Sequence, residues 1–82
     1  MGVIEAMAKK LNPFQCHIFE VEKGSDEFIE ICKYINLNTV PMESMTTIFV
    51  DELDIRMKIL RLGNDWYDVS IIKGKEGFLG HY

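Results

Sequence analysis

The stretch Asp54-Ile-Arg-Met-Lys-Ile-Leu-Arg-Leu-Gly-Asn-Asp-Trp-Tyr-Asp-Val-Ser-Ile-Ile-Lys73 decides the fold. Ile55, Met57 and Ile59 alternate with Arg56 and Lys58, the period of a strand. Leu53, Met57 and Leu60 also have helical spacing, and Glu52–Arg56 and Asp54–Lys58 are acid-to-base pairs four residues apart, as on a helix surface. The downstream residues settle the choice. Gly63-Asn64-Asp65 is a hairpin-type turn, and beyond it Tyr67, Val69 and Ile71 alternate with Asp68 and Ser70. A strand entering that turn makes a hairpin at once, whereas a helix does not. The expectation is an antiparallel pair over 55–61 and 66–72, with Ile55, Met57, Tyr67, Val69 and Ile71 buried. The adjacent apolar residues Ile59 and Leu60 then imply a bulge.

Upstream, Thr46-Thr47-Ile48-Phe49-Val50 is rich in β-branched and aromatic residues and reads as the strand that precedes the hairpin. Leu37 to Met45 reads as a loop around Val40-Pro41. Ser25 is a good N-cap, Asp26 and Glu27 complement a positive helix start, and Phe28, Ile31, Cys32 and Ile35 repeat at helical spacing, so 26–36 reads as a helix. Phe14 to Glu22 alternates with apolar residues in both phases, which predicts a central strand covered on both faces. Ile4, Met7, Ala8 and Leu11 give Gly2–Leu11 one apolar face, and Asn12-Pro13 stops that helix. Residues 74–82 form a glycine-rich tail. The order α-β-α-β-β-β implies an α+β two-layer fold, in which a small antiparallel meander plus a central strand carries the helices on one face. The 82 residues make one domain.

Composition narrows the function classes. Nine Lys and Arg against 13 Asp and Glu give a net charge of −4, opposite in sign to a basic nucleic-acid stripe or an anionic-membrane binder. No uncharged run approaches the ~20 residues of a spanning helix, and the N-terminus lacks the pattern of a signal peptide. Cys16 and Cys32 are too few for a secreted disulfide framework and read as free thiols. A cytoplasmic protein is expected.

The chemistry-bearing residues do not form a catalytic set. Cys16, His17, Cys32 and His81 have the donor types zinc takes but not its spacing, and Cys16 and His17 point to opposite faces of their strand. Cys32 falls on an apolar helix stripe and is expected to be buried. Neither a metal nor a cofactor is expected. A small hydrolase or metal enzyme using Cys16, His17 and His81 is the weakest of the three readings.

The surface is more telling. Acids cluster in 20–30, where Asp26, Glu27 and Glu30 flank the helix, and in 43–54, where Asp51, Glu52 and Asp54 stand together. Met42, Met45, Trp66 and Phe78 are large apolar side chains in loops, beside a turn or in the tail. An apolar anchor with a charged rim is the composition of a binding surface. The leading expectation is a small acidic, non-enzymatic protein that binds a macromolecular partner, a protein with a basic groove. Its specific form is an inhibitor that occludes a nucleic-acid enzyme, of the sort mobile elements encode. The alternative is a structural or assembly subunit that forms a homo-oligomer through a sheet edge.

Overall fold

The computed structural model describes residues 2–74. Helix α1 (Val3–Lys10) is followed by strand β1 (Cys16–Glu22), helix α2 (Asp26–Ile31), strand β2 (Met45–Val50), strand β3 (Ile55–Arg61) and strand β4 (Trp66–Lys73). Short 3₁₀ turns at Leu37–Thr39 and Asp51–Leu53 lead into β2 and β3. The strands form one antiparallel sheet in the order β1-β4-β3-β2. The α+β class and the meander β2-β3-β4 are as expected. Every sheet residue of the buried core belongs to one phase of the alternation: Val21, Val50, Ile55, Met57, Ile59, Tyr67, Val69 and Ile71. Ile4 and Ala8 of α1 and Phe28 and Ile31 of α2 pack on that face, so both helices form one layer and the sheet the other.

The hairpin pairs as read, from Ile55 opposite Lys73 to Arg61 opposite Tyr67, and its five inward residues are fully buried. The bulge is absent. Ile59 faces Val69 and Leu60 faces Asp68 in unbroken register, because Leu60 lies half-buried on the other face of the sheet rather than in the core. Consequently Arg61 points to the helix side, opposite to Arg56 and Lys58. Its guanidinium donates to the carbonyls of Val40 (2.8 Å), Asn38 (3.3 Å), Gly63 (3.1 Å) and Asn64 (3.4 Å) and lies over the Tyr67 ring at 5.5 Å. A planar fork with five donors suits this role, fastening the loop before β2 to the hairpin turn.

Three further expectations are corrected. β1 lies at the sheet edge, not its centre, and only Val21 of it is buried; the apolar residues of its second phase, Cys16 and Ile18, are exposed. The second helix ends at Ile31 instead of reaching residue 36. Its backbone tightens there, with Lys33 and Tyr34 donating to Glu30 and Ile31, and the Asn36 side chain accepts from the Asn38 N–H to start the next 3₁₀ turn. Cys32, at the helix C-terminus, is half-buried against the core rather than enclosed. The Ser25 cap holds, its hydroxyl accepting from the Phe28 N–H at 3.2 Å.

The hairpin turn makes a local forecast. Leu62 N–H donates to the Trp66 carbonyl at 2.9 Å, closing the loop Gly63-Asn64-Asp65. Gly63 has no positive φ, and nothing would crowd a β-carbon there. Gly63→Ala should therefore leave the urea midpoint unchanged within ~0.5 kcal/mol, or raise it slightly by restricting the unfolded chain. A loss above ~1 kcal/mol would mean the turn needs glycine after all.

Candidate functional site

The helices leave one face of the sheet without helical cover. Alternation puts Cys16, Ile18, Glu20 and Glu22 of β1, Trp66, Asp68, Ser70 and Ile72 of β4, Arg56, Lys58 and Leu60 of β3, and Met45, Thr47 and Phe49 of β2 on that face. The register orders them in rows. Glu22 lies opposite Trp66; Glu20, Asp68, Leu60 and Met45 run across the next row; Ile18, Ser70, Lys58 and Thr47 form the one after.

Trp66 is 45% exposed. With Leu62, Gly63 and Glu20 it lines a shallow depression of about 370 Å³. Carboxylates from Glu20, Glu22 and Asp68 border the indole on its own face. Leu60 and Met45 extend the apolar strip across neighbouring strands, about 10 Å from β4 to β2, and exposed Met42 lies just before β2 at the same end. The chain thus joins an aromatic side chain, an apolar strip and an acidic border at the hairpin end, while Lys58 and Arg56 lie farther along the face.

The sequence-predicted site residues divide. Trp66, Met42 and Met45 come together. Glu30 does not belong with them: it is 7% exposed, and its carboxylate accepts from the Ile4 and Glu5 N–H groups at 2.9 Å each. It caps α1, whose own N-cap is Gly2 with no side chain to offer. A β-carbon on Gly2 would overlap that carboxylate, so glycine is what lets the two elements meet. Asp54 adopts a left-handed backbone conformation at the entry to β3, and its carbonyl accepts from Gly74 N–H at 2.8 Å. Asp51 and Glu52 are exposed in the 3₁₀ turn before it, at the far end of the sheet, about 20 Å from Trp66. Asp26 and Glu27 start α2 in the helical layer. Tyr34 feels charge from both acidic segments: burial, and then the charges of Glu52, Glu30 and Glu5, push its phenol above the ordinary value. Phe78 and His81 lie outside the described residues.

Glu20 and Glu22 were read only as members of the 20–30 acid cluster and Asp68 only as an outward residue of its strand; Leu62 was not singled out. The phase of each strand was readable, but the pairing of β1 with β4 that brings Glu20 and Glu22 beside Trp66 was not.

Among the described residues, no three His, Cys, Asp or Glu side chains converge as a metal site, and no helix is long and apolar enough to cross a membrane. His17 is exposed on β1 and stacks obliquely on Phe19 at 5.6 Å. Comparison with protein-family models, curated proteins and solved structures finds no match to this chain.

Proposed function

We propose that this chain is a non-enzymatic interaction protein that docks a protein partner on the hairpin end of its open sheet face. The observation that supports this reading is Trp66, half-exposed beside a shallow depression and bordered on its own face by Glu20, Glu22 and Asp68. An aromatic anchor in a desolvated pocket supplies most of the affinity of an interface, while surrounding charge steers the encounter. The partner that fits has an apolar notch within a basic groove. Grooves of that kind occur on enzymes that act on nucleic acid, and occluding one is the specific form of the reading; no direct contact with nucleic acid is implied.

The test compares wild type with Trp66→Ala and with the reversal Glu20→Lys/Glu22→Lys as immobilised baits, followed by kinetics on the captured protein. Trp66→Ala should weaken binding by about 2 kcal/mol, near 30-fold, through a faster off-rate. The reversal should slow association and flatten its salt dependence. Both should keep the wild-type circular dichroism, since neither site contributes to the core. If both variants bind the same protein as tightly as wild type does, the reading is wrong.

A further inference from the structure

Trp66 separates two kinds of neighbour. On β1, Glu22 stands directly opposite it and Glu20 lies on the diagonal. Opposite residues of paired strands hold their β-carbons about 5 Å apart, and diagonal ones are still within reach of long side chains. On the other side Leu62 donates its N–H to the Trp66 carbonyl and is 47% exposed. The depression of about 370 Å³ lies over this boundary, and its lining combines the indole, the Leu62 side chain, the bare backbone of Gly63 and Glu20. One wall is therefore anionic and the other apolar, with an aromatic ring between them.

The acids are not neutralised from within. Glu20 and Glu22 are exposed, and among the described residues neither they nor Asp68 enters an ion pair. The described base nearest to them on this face, Lys58, lies opposite Ser70. Its strand is about 10 Å from β1, roughly a screening length at physiological salt. Like charges bordering an indole, in a chain of net charge −4, repel phosphate and carboxylate ligands. The group that complements all of the walls is a cation on an apolar stem.

On the basis of the docking proposed for this face, we infer that the depression receives an arginine side chain of the protein partner. The methylene stem lies along Leu62 and the indole, as long cationic side chains lie along apolar surface. The guanidinium stacks on the ring and offers parallel N–H donors to a carboxylate, here Glu20 with Glu22 beside it. Lysine fits less well, since its ammonium is a strongly hydrated point charge with no plane to lay on the indole. A neutral apolar side chain would partly desolvate the carboxylates and give them no partner.

The experiment titrates the whole chain with capped tripeptides that differ in the central residue: arginine, its neutral isostere citrulline, or lysine. Heteronuclear NMR follows the amides and the indole N–H, a single signal because Trp66 is the one tryptophan. The arginine peptide should shift the indole and the amides of Glu20, Glu22 and Leu62. Its affinity should exceed that of citrulline by at least ~10-fold and that of lysine by ~3-fold, and added salt should shrink the margin over citrulline. Glu20→Gln with Glu22→Gln should abolish that margin and leave the weak citrulline binding as it was. Trp66→Leu, which keeps an apolar side chain in place, should lose the preference for arginine over lysine. Should either variant misfold, the wild-type comparison of arginine with citrulline decides by itself. Equal affinity for arginine and citrulline, a lysine peptide that binds as tightly as arginine, shifts centred away from residues 20–22 and 62–66, or no shift at ~50 mM arginine peptide would overturn the assignment. The docking itself is judged apart: after such a negative result it stands if Trp66→Ala still weakens binding of the captured protein, and falls if it does not.

Discussion

Tyr67→Ala is expected to lower stability by about 3–5 kcal/mol, a large share of what holds a domain of this size together. Tyr67 is the largest fully buried side chain of the core. It faces the Phe28 ring at 5.8 Å, lies beneath the Arg61 guanidinium, and donates its hydroxyl to the buried Leu37 carbonyl at 3.0 Å. One residue thus ties β4 to α2 and to the loop before β2. Tyr67→Phe separates the contributions: it keeps the ring and removes one buried hydrogen bond, so about 1 kcal/mol should be lost. Urea unfolding of both variants measures the pair. Equal losses would place nearly all the effect in the hydroxyl and would contradict a packing role for the ring.

Glu30→Ala should cost about 3 kcal/mol, because it leaves the Ile4 and Glu5 N–H groups without their acceptor where water has limited access. Gly2→Ala should act on the same contact from the other side, since its methyl would displace the carboxylate. The two changes should therefore be strongly non-additive: once Glu30 is gone, Gly2→Ala should add little. A double-mutant cycle in urea, with amide exchange at Ile4 and Glu5, gives the coupling. Additive losses would show that the carboxylate and the glycine act independently.

The helix and strand types were legible in the sequence where one pattern dominated. The 55–73 hairpin could be read because a two-residue period runs into a turn and out again. The order of strands was less accessible. β1 looked central because both of its phases are apolar, yet Cys16 and Ile18 lie exposed on the open face, and nothing local distinguishes an apolar residue awaiting cover from one that has it. Glu30 was read as surface because acids usually are. Its burial depends on a tertiary contact with the first turn of α1, whose one sequence trace is the glycine at position 2. That Trp66 shares a face with Asp68 and Ser70 follows from alternation alone. Glu20 and Glu22 beside it could be placed there only from the pairing of β1 with β4.

The position of β1 also bears on how the chain is made. Cys16 pairs with Ile72 and Glu22 with Trp66, and among the described residues β4 is the one strand that flanks β1. On a ribosome adding about 5–20 residues per second, β1 leaves the exit tunnel seconds before its partner exists. Through that interval β2 and β3 can close their local pairing, but Phe19 and Val21 have no sheet to join. Over the same interval Glu20 and Glu22 give the strand two like charges, which disfavour its pairing with another copy of itself.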